Sequence, residues 1–417
     1  MNATRKAMRL SKQSNEAMQK MRLLLIMSLW FPLALFGSVV PGQVSRDPVE
    51  SASRAASPPN LVLTVVNAYE RPVITVDSPG AQGVRYGFEG GRAIKIGKTY
   101  HLFTTEESGD PRFVKTKLGY WMSRDRIHWK RVSTLYESTA DMSGSDVRAS
   151  LWAPMPVYDH KNGRWELFYV GYRAEPENSP YPPKSDPQDR NPYLEIPANP
   201  NPGIFYNYGG SIWRAVSQTR GPHGIGGPYK DAGIILKPGP ESEFWEGIQG
   251  TDSFFPYQVE GKWYGFYGSR HCETLPVKAW QVGLASAPDL SGPWTRVAEL
   301  NPVAIDRRFV ENPVVAQLED GRYIAVYNGP KRDSIGYTSS SDGIHWGQGA
   351  NLVIQAKEGA HWADPVRTPL GLIPEGNNTF TLFYTGYLKG GNGDVFRDPI
   401  SEAIGFATVR VEPSIAK

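Results

Sequence analysis

The chain has 417 residues, a formal net charge of +3, 43 glycines, 35 prolines and 12 % aromatic residues. No long stretch repeats its apolar residues with the 3.6-residue period of a helix, so a helical fold is excluded and a turn-dense, all-β fold is favoured. Cys272 is the only cysteine, which excludes an internal disulfide.

Residues 1–43 have the pattern of a secretory signal peptide. Basic residues precede an apolar run over residues 23–36, which ends in small residues and prolines. The run is about fourteen residues long, against the roughly twenty that a membrane helix needs. A permanent membrane anchor is the alternative. We expect a secreted or periplasmic protein that keeps no membrane span after cleavage.

Removal of this leader changes the interpretation of the charge. Residues 1–43 contain six basic and one acidic residue, so the formal charge falls from +3 to 3 − 5 = −2. A nearly neutral mature domain gives no electrostatic case for nucleic acid or an anionic membrane as a partner. Residues 44–60 are rich in Ser, Ala and Arg and predict a flexible linker. The oligomeric state is not predicted.

A hairpin repeat occupies the rest of the chain. In each copy an apolar strand leads into a turn with a glycine and then into an aromatic-rich strand. The five turn-and-strand cores span residues 96–103, 162–169, 260–267, 320–327 and 376–384. A third strand follows each core, and a fourth follows most of them. Four strands in each of five units predict an all-β, five-bladed β-propeller over residues 61–417.

Two irregularities interrupt the repeat. A proline-rich insertion at about 174–209 separates the second and third strands of unit two, and we predict a loop there. It is either a rim or lid over a ligand site or an oligomer contact. The last unit lacks a fourth strand, whereas the apolar segments 61–66 and 73–76 precede the first unit. We expect one of them to supply that strand and close the ring.

Carboxylates stand at the front of four of the five units. In a propeller the first strand of every blade lines the central channel, so residues that open these strands converge. The four acids are Glu89, Asp252, Glu311 and Asp364, and Trp152 opens the remaining unit. Glycosidic cleavage needs a protonated acid and an ionised base or nucleophile, and burial and repulsion separate the pKa values of neighbouring carboxylates. The pattern predicts a glycoside hydrolase.

Further residues near these openings suit sugar binding. Aromatic rings offer flat apolar faces, and the candidates are Trp152, Trp245 and Trp362. Cations bind carboxylates and sulfates, so a uronic or sulfated sugar is considered, and these candidates are Arg270, His271 and Arg308. Core packing is the alternative for the rings, and a solvated rim is the alternative for the cations.

Four short motifs resemble those of the five-bladed propeller glycosidases, in particular glycoside hydrolase family 43 and its relatives 32, 62 and 117. They are WAP at 152–154, APDLSGPW at 287–294, ENP at 311–313 and DP at 364–365. The resemblance implies a secreted, exo-acting hydrolase of a plant or algal poly- or oligosaccharide, with Glu311 as general acid. It implies no required cofactor, although a structural calcium ion near His361 is considered.

The chain departs from family 43 at two positions. That family places an Asp base in its first blade and a second Asp in the next one. Here Glu89 occupies the first of these places and Met155 the second. We therefore rank the candidates for the base or nucleophile as Asp252, then Asp364, then Glu89.

Two other functions stay open. A non-catalytic carbohydrate-binding propeller would need the aromatic platform but no carboxyl pair, and its acids would be turned apart or paired with arginines. A polysaccharide lyase would act on a uronate through a base such as His271 and a charge-neutralising Arg270. The positions of the strand-opening residues distinguish these functions.

Overall fold

The computed structural model describes residues 61–175, 206–247, 249–270, 280–306, 309–354, 361–388 and 401–413. These ranges contain twenty β-strands and a short 3₁₀ helix, Pro222–Gly226. The fold is all-β, as predicted. No helix within the described ranges is long and apolar enough to cross a membrane. The predicted leader and linker, and nearly all of the proline-rich insertion, lie outside the described residues.

The strands form one sheet of eight strands and three sheets of four. The eight-stranded sheet holds β1 (Leu61–Ala68), β2 (Gly87–Ile96), β3 (Thr99–Glu107), β4 (Thr116–Ser123), β5 (Trp129–Glu137), β18 (Ala363–Gly376), β19 (Thr379–Leu388) and β20 (Glu402–Pro413). The first four-stranded sheet holds β6 (Ser150–Asp159), β7 (Arg164–Glu175), β8 (Tyr206–Arg220) and β9 (Tyr229–Leu236). The second holds β10 (Asp252–Val259), β11 (Lys262–Ser269), β12 (Gln281–Ala287) and β13 (Thr295–Arg296). The third holds β14 (Glu311–Gln317), β15 (Tyr323–Asn328), β16 (Ser334–Ser340) and β17 (Ala350–Val353).

The eight-stranded sheet consists of two antiparallel halves. One half is β2 to β5, and the other is β18, β19, β20 and β1. They meet at a single parallel pair, Gly87 with Glu402. Gly87 has φ +118°, and a Cβ there would lie 2.0 Å from the Glu402 carbonyl oxygen. Only glycine therefore fits this junction.

The N-terminal strand completes the last group of strands. β1 lies antiparallel to β20, with Leu61 opposite Pro413. Of the two candidate segments, 61–66 makes this pairing, while Ile74 of the other forms one bridge with Ile404. Because β1 covers β20, that edge is not left unpaired.

We call β2, β6, β10, β14 and β18 the opening strands, since each begins one group of strands. β2 contacts β6, β6 contacts β10, β10 contacts β14, β14 contacts β18, and β18 contacts β2 again. Large apolar side chains, among them Phe168, Phe255 and Tyr267, fill the space between neighbouring sheets. The residues that begin the opening strands are thereby brought towards one another.

Candidate active site

A β-bulge follows the first residues of every opening strand. The residues Gly90, Ala153, Ser253 and Asn312 have φ between +51° and +61°, and the strand register shifts beside each of them. In β18 the register shifts between Ala363 and Val366. A bulge bends its strand and re-aims the adjacent side chain. Positive φ at Ala, Ser and Asn is uncommon, so its repetition near the starts of β6, β10 and β14 marks this end of the strands.

Glu311 begins β14 and is 6 % exposed. Its Oε2 accepts a hydrogen bond of 2.8 Å from Asn328 Nδ2. Burial raises the pKa of Glu311 to about 7, and the charges of Glu89 and Asp252 act in the same direction against Arg367. Near neutral pH a large fraction of Glu311 is protonated, which is what a general acid requires.

Arg367 of β18 lies between two of the acids. Its Nη2 forms an ion pair with Glu89 Oε1 and lies 3.7 Å from Glu311 Oε2. Thr368 Oγ1 donates a second hydrogen bond to Glu89 Oε1 at 3.2 Å. One guanidinium group therefore holds the carboxyl groups of β2 and β14 close together.

Asp252 is the third buried acid and is 7 % exposed. Its Oδ1 accepts a 2.5 Å hydrogen bond from the backbone N–H of Ser253, and the Tyr172 hydroxyl donates another bond to the carboxylate. Burial raises the pKa of Asp252 to about 6, and the charge of Glu89 contributes to that rise. Glu89, Asp252 and Glu311 thus interact electrostatically, so three of the four predicted carboxylates form one group.

Two further glutamates lie behind Glu89. Ligand oxygens of Glu89, Glu107 and Glu402 all lie within 4.8 Å of one another, and these side chains are buried. Arg112 donates a 2.9 Å hydrogen bond to Glu107, and Thr385 donates one of 2.7 Å to Glu402. Burial raises the pKa of Glu107, and it raises that of Glu402 well above the ordinary range. Burial and the neighbouring acids therefore favour the protonated forms of Glu107 and Glu402.

This glutamate cluster does not fit a calcium ion well. Ca²⁺ takes carboxylate oxygens, but its ligands must be deprotonated. Arg367 and Arg112 already pair with Glu89 and Glu107, and the raised pKa of Glu402 favours its neutral form. His361, the predicted metal ligand, binds elsewhere. Its Nδ1 accepts from the Ala363 N–H, and its Nε2 contacts the Tyr384 hydroxyl at 2.8 Å. Both ring nitrogens are occupied, so the metal-ligand prediction for His361 is corrected.

Asp364 is not part of the acid group. Its exposed carboxylate pairs with Arg332, Nη2 to Oδ1 at 3.0 Å. The β18 residue that reaches the group is Arg367, three positions later. The sequence-based ranking of Asp364 as a base is corrected because its side chain points to solvent and an arginine.

Two of the predicted sugar platforms belong to the core. Trp245 is 1 % exposed and packs on Tyr267, with ring centres 5.4 Å apart. Trp362 is 9 % exposed and stacks on Tyr384 at 5.9 Å. Neither ring offers a face to a ligand, so these two platform predictions are corrected.

Trp152 lies near the start of β6, as the acids lie near the starts of their strands, and Arg270 follows the end of β11, which lies beside the start of β10 in the antiparallel pair. Trp152 is partly exposed, and its Nε1 donates to Ser150 Oγ at 2.6 Å and to the Phe113 carbonyl at 3.1 Å. The guanidinium carbon of Arg270, just beyond β11, lies 5.8 Å from the ring centre of Trp280. His271 and Arg308 lie outside the described residues, and their binding roles remain predictions.

Sequence reasoning missed Arg367, Glu107, Glu402 and Tyr172. A usable signal existed for Glu107, because the strand TYHLFTTEE ends in two acids although its other residues suit a buried strand. β3 runs antiparallel to β2, and Glu107 pairs with Gly87, so the end of one strand lies beside the start of the other. No comparable signal distinguishes Arg367, because the bulges in β18 decide which of its side chains turn inward.

Comparisons with solved structures agree with the resemblance suggested by the motifs. A structure described as a glycoside hydrolase matches at a TM-score of 0.56 and 14% identity, over 83% of this chain and 92% of its own. A family 117 glycoside hydrolase from the marine bacterium Zobellia galactanivorans matches at 0.51 and 13%, over 86% of this chain and 92% of its own. An α-L-arabinofuranosidase from Lactobacillus brevis matches at 0.50 and 12%, over 82% of this chain and 94% of its own.

No protein-family model matches the sequence, and no curated protein sequence matches it either. At these identities the structural matches establish the architecture. The chain has the all-β fold of β-propeller glycoside hydrolases such as this family 117 enzyme.

Proposed function

We propose that this protein is a secreted or periplasmic glycoside hydrolase with a five-bladed β-propeller fold. The strand groups that follow β2, β6, β10, β14 and β18 would be the blades, and β1 would complete the last of them. The contacts that lead from each opening strand to the next, and from β18 back to β2, support a closed ring. The observation that carries the catalytic proposal is the buried group of Glu311, Glu89 and Asp252.

Glu311 is the proposed general acid. Its pKa of about 7 allows it to carry a proton at neutral pH, and Asn328 donates a hydrogen bond that orients its buried carboxyl group. In the reaction Glu311 gives its proton to the glycosidic oxygen as the bond to the anomeric carbon breaks. The leaving sugar then departs as a neutral alcohol.

Glu89 is the proposed base or nucleophile. It forms an ion pair with Arg367, and the same guanidinium keeps it near Glu311. An ionised carboxylate opposite a protonated one is the division of roles that glycosidic cleavage requires. We therefore place Glu89 above Asp252, which has a pKa of about 6 and is held by Tyr172. Asp252 would instead keep the pKa of Glu311 high through its charge.

Other parts of the proposal rest on the sequence. Hydrolysis by this group needs water and no further cofactor. The resemblance to families 43 and 117 favours exo-action on a plant or algal poly- or oligosaccharide. The leader at residues 1–43 favours export.

The non-catalytic carbohydrate-binding propeller is the second candidate. The ion pair between Glu89 and Arg367 favours it, because a carboxylate that serves only structure is expected to be paired with a cation. Glu311 argues against it, since its raised pKa and its position beside Glu89 have no structural use. Activity measurements separate the two.

The decisive test is Glu311→Gln, assayed on aryl arabinofuranosides, xylosides and galactosides. We expect the turnover number to fall by about 10²–10⁴ on substrates with poor leaving groups. The loss should be smaller with dinitrophenyl leaving groups, because they depart without a proton. Glu319→Gln, on the exposed turn of the same sheet, is the matched control and should turn over normally.

Full turnover by Glu311→Gln would remove Glu311 as the acid. Sugar binding by the wild type without turnover of any glycoside or oligosaccharide would favour the binding propeller. Products that absorb as unsaturated uronates would establish a lyase instead.

A further inference from the structure

A second feature of the opening strands is a cavity of about 380 Å³ that begins beyond the bulges. It is lined by residues 92–95 of β2 and Gly97 of the following turn, by 314–317 of β14 and 371–374 of β18, and by Phe255 of β10. Glu89 and Glu311 stand before these segments in their strands. Since a strand advances about 3.3 Å per residue, the cavity and the acid group occupy successive levels along the same strands.

Arg92 lies between the two levels. Its Nη1 donates a 3.0 Å hydrogen bond to the Pro156 carbonyl of β6, and its guanidinium carbon lies 4.8 Å from the ring centre of Phe255. Arg92 therefore reaches from β2 towards β6 and β10. Among the residues that the structure describes, no carboxylate pairs with it, and the only influence on its pKa is burial.

The charge of Arg92 is thus poorly compensated. Burial lowers its pKa to about 10, so the group remains a cation at neutral pH. Arg92 is only partly exposed and lines the cavity. A bound counter-ion would recover part of the free energy that its partial burial costs without an anion. Lys95 is the other cation on the cavity wall, and Glu375 already pairs with it. The lining residues include no acid.

We propose that this cavity binds a small oxyanion, with the Arg92 guanidinium as its anchor. A guanidinium presents N–H groups in a planar fork that matches the oxygens of a carboxylate or a sulfate. One N–H of Arg92 is taken by Pro156, and the others have no acceptor in the described part of the chain. The cavity has room for an organic acid as well as for an inorganic ion. This site is separate from the proposed sugar-cleaving group.

Isothermal titration of the full chain with sulfate, and separately with acetate, tests the proposal. We expect one site per chain for at least one of these ions. In Arg92→Gln the affinity should fall by about tenfold or more, because a charge-assisted hydrogen bond is lost. The ratio of the sulfate and acetate affinities distinguishes an inorganic ion from a carboxylate as the preferred ligand.

Arg126→Gln is the matched control. Arg126 also lies over an aromatic ring, 5.1 Å from the centre of Phe406, and donates to one side chain, Thr381. It does not line the cavity, so its replacement should leave anion affinity unchanged. Wild-type protein that takes up neither ion, or equal affinity in Arg92→Gln, would overturn the proposal.

Anomalous scattering from wild-type crystals grown with selenate tests the location without any variant. Selenate is expected within hydrogen-bond distance of Arg92. Selenate found only elsewhere would also overturn the proposal.

Discussion

Arg367 and Arg92 are both cations on opening strands, but they differ in their acidic neighbours. Acidic side chains surround Arg367, whereas no carboxylate among the described residues pairs with Arg92. Burial alone would lower the pKa of Arg367, yet electrostatic interactions with Glu89 and the other acidic groups around it outweigh burial and raise that pKa well above its ordinary value. The pKa of Arg92 falls to about 10, because burial acts on it without a neighbouring anion. One level of the opening strands is thus rich in acids, and the next contains a cation that no described carboxylate pairs with.

The difference shows that burial by itself does not define a site. At the acid level the protein supplies both signs of charge, and burial, together with the charges of Glu89 and Asp252, raises the pKa of Glu311 into the range useful for proton transfer. At the cavity level the lining residues include two cations, Arg92 and Lys95, and no acid. We therefore propose proton transfer to a ligand at the first level and ligand binding at the second.

Removal of Arg367 should have the largest effect on stability. Arg367→Met leaves Glu89 buried without its partner, and loss of one member of a buried pair costs about 3–5 kcal/mol. Urea denaturation should show this decrease in the free energy of unfolding. The control is Arg85→Met, since the Arg85–Asp110 pair is more than half exposed and exposed pairs contribute about 1 kcal/mol or less.

A double variant sharpens this test. Glu89→Gln combined with Arg367→Met removes both charges and should be more stable than Arg367→Met alone. Equal stability of Arg367→Met and Arg85→Met would mean that the buried pair contributes nothing.

Removal of the charge of Asp252 should have an intermediate effect, seen in the pH profile. Glu311 must be protonated to act as an acid, so kcat/KM should fall as the pH rises through about 7. The charge of Asp252 raises the pKa of Glu311, so Asp252→Asn should lower that pKa and move the alkaline limb to lower pH.

The matched control for this profile is Glu260→Gln, on the exposed turn between β10 and β11, which should leave the limb in place. A limb that stays fixed or moves to higher pH in Asp252→Asn would exclude Asp252 as the group that raises the pKa of Glu311.

Replacement of Arg92 should have the smallest effect on stability. Arg92→Met removes a poorly compensated charge and keeps an apolar chain on Phe255, so the free energy of unfolding should change by about 1 kcal/mol or less. Urea denaturation in dilute buffer without sulfate or acetate measures it. A loss as large as that of Arg367→Met would show that Arg92 is compensated within the protein.

The sequence predicted the all-β fold because the repeat is local. Each unit places a turn glycine between an apolar strand and an aromatic strand, as at Gly163, and this pattern needs no distant contact to be recognised. The missing outer strand of the last unit was also predicted, and β1 pairs with β20. The choice between segments 61–66 and 73–76 required the structure, since both are short and apolar.

The sequence predicted the site only in part. Glu89, Asp252 and Glu311 were recognised because equivalent positions of repeated units must converge when the opening strands meet. Asp364 was recognised by the same rule, yet its side chain faces Arg332. Trp245 and Trp362 were assigned to the ligand because an aromatic side chain in a sequence does not reveal which of its faces is covered.

By itself the sequence determined the repeated strands, the turns between them and the acids at their starts, because these follow from residue types at short range. Only the tertiary structure decided that Arg367 bridges Glu89 and Glu311, and that Arg92 has no carboxylate partner among the described residues. Glu89 and Arg367 are separated by 278 residues, and a bulge in each strand selects which side chain turns inward. Charge compensation depends on distances of a few ångströms between such residues, and spacing along the chain does not contain them.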